Sequence, residues 1–192
     1  MRMTRRQALL TGAATPLATL PLSAAADGHI SAAAAPVHSD FNVGDFRVTT
    51  LLAGSRPVEE PQGIFGMNVD ADTFNAVSAE NFLPTDMAQF YFTPTVVNTG
   101  SEVILFDTGL NADGITAAVE AAGYTTDQVD KVVLTHMHGD HIGGLMGDAG
   151  ETFKNASYIA GSVEHNHWAK ADNDGFKSKV APLSEKMTMI ED

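Results

Sequence analysis

KVVLTHMHGDHIGGL, residues 131–145, sets a β-branched apolar run directly against three histidines and an aspartate. The chain has seven histidines, so three within six positions is a concentration that demands a reason. KVVLT (131–135) reads as a buried strand, which places the histidines at a strand's carboxyl end, where α/β proteins build sites. In extended backbone, side chains two apart face the same way, so His136 and His138 can reach one metal ion together. Gly139 lets the chain turn, and Asp140 and His141 then project from the bend toward a second position. Gly143 and Gly144 permit close backbone approach as a following helix begins. Imidazoles with a carboxylate suit Zn²⁺, and Fe or Mn also fit. A solvated histidine-rich loop needs neither the strand before nor the glycines after, and an acid–base pair needs one histidine rather than three.

Working outward, FRVTTLL (46–52) alternates and is β-branched, a strand by period and composition. SRPVEEPQGIFGMNVDADTFN (55–75) has the proline and glycine spacing of a long surface loop with one short helical turn. QFYFTPTVVNTG (89–100) and SEVILFDTG (101–109) read as two strands meeting in a hairpin at Thr99-Gly100. Ile115, Ala118, Val119 and Ala122 share one helical face, with Asn111 as N-cap and Gly123 as the stop. TTDQVD is a short capped turn, ASYIA (156–160) a further strand, and SVEHNHWAK (162–170) a helix opening at Ser162. Strands followed by helix, strand, motif loop, strand and helix describe an α/β protein. His165 and His167, two apart on a helix, point to different faces and are read as exposed or pocket-rim residues rather than a ligand pair. Trp168 reads as core or pocket wall, and Met187 and Met189 as packing residues.

At 192 residues, with 44% hydrophobic and 18% charged content, the chain has the make-up of one globular domain. Its net charge of −13 argues against nucleic acid or an anionic membrane surface as partner. The absence of cysteine excludes disulfides, thiolate ligands and a thiol nucleophile.

Residues 1–26, MRMTRRQALLTGAATPLATLPLSAAA, combine a basic start, an uncharged stretch and a small-residue end, the pattern of a cleaved signal peptide. Thr4-Arg5-Arg6-Gln7-Ala8-Leu9-Leu10 resembles a twin-arginine export signal, which implies a periplasmic or secreted product with no membrane association after cleavage. Cleavage would remove Arg2, Arg5 and Arg6 and no acid, taking the net charge from −13 to −16. Residues 27–40 then form a flexible mature N-terminus in which His29 and His38 are solvated, and the domain itself spans 41–192.

His136-x-His138-x-Asp140-His141 after a core strand resembles the signature of the metallo-β-lactamase superfamily, over about residues 41–170. NTGSEVILFDTGLN, AAGYTTDQVDKVVLTHMHGDHIGGL and the FKNA…EHNHW segment are most similar to the branch of methyl parathion hydrolase and related lactonases. The resemblance implies an αββα four-layer sandwich, of which this chain supplies mainly the N-terminal half. It implies two Zn²⁺ ions per complete site, the first held by His136 and His138 and the second by Asp140 and His141. Asp107, in the Phe-Asp-Thr-Gly turn, matches the aspartate that orients the metal loop from behind the ligands. Asp140 would ligate and also accept a hydrogen bond from a metal-bridging hydroxide that attacks an ester, lactone or phosphotriester. A β-lactamase, a thioester hydrolase and a non-catalytic metal-binding fragment are the alternatives. The remaining ligands are expected beyond Asp192, so the chain reads as the N-terminal part of a longer hydrolase. The partner is a small-molecule substrate, and a homodimer is compatible with the open sheet face such a half-sandwich would present.

Overall fold

Pro94 decides how the N-terminal strands divide. The run expected as one strand over 89–100 is cut there, because proline cannot donate to a ladder, and its halves join different sheets. A computed structural model describes residues 37–191. In chain order these are β1 (His38–Val43), β2 (Phe46–Leu51), β3 (Gly54–Glu59), α1 (Gln62–Phe65), α2 (Ala71–Glu80), β4 (Met87–Phe92), β5 (Thr95–Asn98) and β6 (Val103–Phe106). There follow α3 (Ala112–Ala121), a 3₁₀ turn (Thr126–Gln128), β7 (Lys131–Leu134), α4 (Gly139–Ile142), β8 (Met146–Gly147), β9 (Gly150–Glu151), β10 (Ser157–Gly161) and α5 (Ser162–Lys170). Two further helical turns (Phe176–Val180 and Ala181–Lys186) lead into β11 (Met187–Ile190).

The described residues form a seven-stranded sheet in the order β1-β2-β5-β6-β7-β10-β11, with β3-β4 and β8-β9 as separate two-stranded ribbons. The β1, β2, β5 and β6 pairings are antiparallel, and those of β6 with β7, β7 with β10 and β10 with β11 are parallel. This is the mixed α/β class expected from the order of elements. The alternation of β-strand side chains gives the sheet two unlike faces. Val96, Leu105, Val132 and Tyr158 on one face are fully buried, in one core with Ile115, Ala118 and Val119 of α3. Val97, Ile104, Phe106, Val133 and Ile159 on the other face are half-buried.

Helix α3 starts and stops as its caps dictate. The Asn111 side chain accepts a hydrogen bond from Gly114 N, and Gly123 takes φ +86° after the last turn. The hairpin between β5 and β6, the capped turn over Thr126–Gln128, and the strands β7 and β10 also stand where expected.

Three expectations need correction. Residues 55–75 are not a loop with one turn: β3 and two helices occupy them, because β3 finds its partner in the distant β4, a pairing invisible locally. The domain does not begin at 41, since β1 pairs from His38↔Leu51 onward. His38 is half-buried there, with Nδ1 3.4 Å from Asp40 Oδ2, rather than solvated. Asp40 anchors that end of the sheet, taking hydrogen bonds from Thr49 Oγ1 at 2.5 Å and Arg47 Nη2 at 3.0 Å. Finally, the helix after the histidine strand opens at Gly139, inside the motif, and not after Gly144. The expected signal segment, 1–26, and most of the expected flexible N-terminus, 27–40, lie outside the described residues. No helix among the described residues is long and apolar enough to cross a membrane.

Candidate metal centre

Because β6 and β7 run parallel, their carboxyl ends lie side by side, and the chain leaves each in a corner that touches the other. Asp107, the first residue past β6, sits at φ +60°, a left-handed conformation that aspartate tolerates better than most residues and that recurs at functional sites. From there its Oδ1 accepts Thr135 N at 2.8 Å and its Oδ2 accepts Thr135 Oγ1 at 2.7 Å. The same Oδ2 lies 2.8 Å from His141 Nδ1. A carboxylate accepts, so His141 Nδ1 donates, and in a neutral ring so held Nε2 is the nitrogen left to ligate a metal. Asp107 thus lies against both Thr135 and His141 of the motif segment.

The other motif residues gather around His141. The His136 ring centroid lies 3.8 Å from that of His141 and 4.6 Å from that of His138. His136 Nε2 and His138 Nδ1 are 3.1 Å apart, and Asp140 Oδ2 is 3.5 Å from His141 Nε2. Burial, then the neighbouring His141 and His138, hold the His136 imidazole below the usual histidine range. A neutral ring is the ligating form. Among the described residues no three of these donors converge on a common point in ligating geometry, while the His136 Nε2 and His138 Nδ1 atoms already lie within the separation two ligands of one ion can have. The donor set of imidazoles and a carboxylate is chemically suited to zinc.

The turn that carries Asp140 and His141 is pinned by backbone contact. His138 O accepts His141 N at 2.9 Å. A Cβ on Gly143 would stand 2.1 Å from Leu110 O, and one on Gly144 2.2 Å from Thr108 O, so only glycine allows this approach. Thr108, fully buried, donates Oγ1 to His141 O at 2.8 Å and accepts Gly144 N at 3.1 Å. From the other side, Glu164 of α5 accepts Met137 N at 2.8 Å.

A cleft of about 500 Å³ opens beside His138, Gly139 and Asp140, lined otherwise by Arg56, Ile64, Phe65, Phe90, Phe92 and Leu110. Phe65 and Phe90 lie 5.3 Å apart, Phe90 and Phe92 6.3 Å. His165 packs on Phe176 at 5.2 Å and His167 on Trp168 at 5.8 Å, so neither joins the cluster. Trp168 stands edge-on to His138 at 5.7 Å and packs, partly buried, against the core. Sequence reasoning missed Thr108, Thr135, Glu164 and the aromatic wall. Thr108 and Thr135 adjoin recognised motifs and were within its reach, whereas Glu164 and the phenylalanines carry no local signal.

Imidazoles and carboxylates thus crowd together at the carboxyl ends of the parallel strands, a place where α/β proteins build sites. The sequence model of the metallo-beta-lactamase superfamily matches residues 93–188, half of the chain, and the chain belongs to that superfamily. An anti-Pycsar protein of Paenibacillus sp. (strain J14) is 32% identical over 57 residues, 30% of this chain and 22% of that protein. Ribonuclease Z of Clostridium botulinum is 35% identical over 74 residues, 35% of this chain and 22% of that protein. Among solved structures, the hydrolase AbOPH superposes with TM-score 0.69 at 21% identity, over 80% of this chain and 60% of that one. AidC, described as a dizinc quorum-quenching lactonase, superposes with TM-score 0.67 at 20% identity, again over 80% and 60%. The matches thus take in 22% of the length of the two curated relatives and 60% of these two structures.

Proposed function

We propose that the chain forms part of a dinuclear metal-dependent hydrolase acting on an ester, lactone or phosphotriester with an apolar substituent, closest in kind to the lactonase and organophosphate branch. The observation that carries this reading is the meeting of His136, His138, Asp140 and His141 at the edge of an apolar, aromatic-lined cleft. His136 and His138 would hold one ion and Asp140 and His141 a second, with zinc the best match to the donors and Fe or Mn also compatible. Bound metal would supply Lewis acidity and a lowered pKa for water.

The chain's own residues supply the rest. Asp107 holds His141 in the ligating tautomer. Asp140, at the cleft, can accept a hydrogen bond from an attacking water and fix its approach. The phenylalanines of β4 and Phe65 of α1 take the substrate's apolar part, which matches a small molecule rather than RNA at a net charge of −13. A non-catalytic metal-binding role is the second reading, supported by the lack of a three-donor group among the described residues.

The test is zinc content and turnover of lactones and aryl esters in wild type, His138→Ala and His165→Ala. The proposal expects His138→Ala to lose metal and His165→Ala to keep it. Equal stoichiometry in the two would overturn the ligand assignment, and metal without turnover of any such substrate would favour the second reading. Export by the twin-arginine route is proposed from residues 4–10. Arg5→Lys with Arg6→Lys should leave uncleaved precursor in the cytoplasm, and normal processing would refute it.

A further inference from the structure

We infer that Glu164 is a positioning residue that sets the backbone between the two paired histidines, with Trp168 fixed by the same carboxylate oxygen as a wall behind His138; this rests on the ligand reading above. Strand β7 ends at Leu134, so the Met137 N–H has no ladder partner. The Met137 side chain is sunk in the core, 1% exposed, and anchors the loop from one side only. Glu164 Oε1 completes the hold by accepting Met137 N at 2.8 Å. That oxygen also accepts Trp168 Nε1 at 2.7 Å, a pairing that i, i+4 spacing on α5 permits. The indole is thereby held edge-on to His138 at 5.7 Å. Met137 has a candidate ligand on each side of it in sequence. One oxygen therefore governs where both imidazoles start.

The parallel pairing of β7 with β10 is what brings this about. With Ser157↔Lys131 and Ala160↔Leu134 in register, β10 ends one residue past the level at which β7 does, and α5 begins immediately at Ser162. Its first turn lies at the sheet edge from which the histidine loop departs. An acidic residue in a first helical turn has a simpler use, complementing the helix dipole. The two roles make opposite demands. The dipole needs the charge; the loop needs an oxygen of the right reach that accepts two hydrogen bonds. A glutamine carbonyl offers that oxygen without charge, and aspartate offers the charge without the reach.

The experiment compares wild type with Glu164→Gln, Glu164→Asp and Glu164→Ala by two readouts. One is the hydrogen-exchange rate of the Met137 amide in metal-free protein. The other is zinc affinity by chelator competition. Glu164→Gln is expected to stay near wild type in both. Glu164→Asp and Glu164→Ala should speed Met137 exchange at least about tenfold and weaken zinc by about 10–100-fold, the range for loss of a residue that orients a ligand. If Glu164→Ala does not fold, the glutamine and aspartate variants still decide. Glutamine falling with alanine, or aspartate matching wild type, would assign Glu164 to the helix dipole and overturn the inference, as would unchanged Met137 exchange in both shortened variants. Failure of the ligand reading would look different. Zinc would then bind no variant, wild type included, while Met137 exchange would still report whether Glu164 holds the loop.

Discussion

The two walls of the candidate cleft are built on opposite principles. On the histidine side nearly every group is held by a directed bond: Asp107 to Thr135 and His141, Thr108 to His141 and Gly144, Glu164 to Met137. On the aromatic side, β4 and α1 present rings tilted 43° and 60° to one another, and Phe65 is 65% exposed. Directional chemistry needs fixed donors, whereas apolar recognition needs only area, so one wall is built for geometry and the other tolerates change. Exposed apolar surface on a ribbon is costly to keep without a use.

Three substitutions test that contrast, taken from the largest effect down. Leu105→Ala empties a fully buried position of β6 beneath the histidine side and should cost about 2–5 kcal/mol in denaturant unfolding. A loss below about 1 kcal/mol would mean the corner does not rest on a packed core. Asp107→Asn tolerates the left-handed backbone and keeps an oxygen for Thr135 N, but turns an amide N–H₂ toward the His141 Nδ1–H. It should weaken zinc binding by about 10–100-fold with little change in stability, and unchanged affinity would break the tie drawn between Asp107 and His141. Phe65→Ala should shift stability by no more than about 0.5 kcal/mol while raising KM selectively for substrates with bulky apolar groups. A stability loss matching Leu105→Ala would erase the difference between the walls.

A pH titration sharpens the comparison at the sheet's far end. The Arg47 hydrogen bond, then that from Thr49, hold the Asp40 carboxyl below its ordinary range. A depressed folded-state pKa contributes stability above the unfolded value that is lost as pH falls through the folded one. Amide protection factors in β1 should therefore fall in acid before those in β6 and β7, and simultaneous loss would contradict a local role for Asp40.

Much of the histidine side could be read in advance. His136, His138, Asp140 and His141 follow a strand whose β-branched run is unmistakable, and Asn111 and Gly123 bracket α3 by local capping chemistry alone. Asp107 was legible as a turn residue, although its left-handed backbone was not. What escaped depends on distant partners. β3 contains Pro57 and reads as a loop until β4, some 30 residues on, supplies Gln89 opposite it. Pro94 was in view, but its division of one apolar run between two sheets follows from which neighbour each half finds. Glu164 shows nothing special in sequence, since acids in first helical turns are common. Its meaning comes from the register of β10 on β7.

The compactness of the histidine motif has a consequence for how an ion would act on the folding equilibrium. His136, His138, Asp140 and His141 stay within six residues of one another in a denatured chain too, and that segment would chelate divalent metal as a peptide. Asp107, Thr108 and Glu164, 28, 33 and 27 positions from their partners Thr135, His141 and Met137, are contributed by the fold. Ligand linkage counts the difference between folded and unfolded affinities. Zinc would therefore raise the melting temperature by less than its affinity for the native protein suggests, and the shortfall measures how much of the site is sequence and how much is architecture.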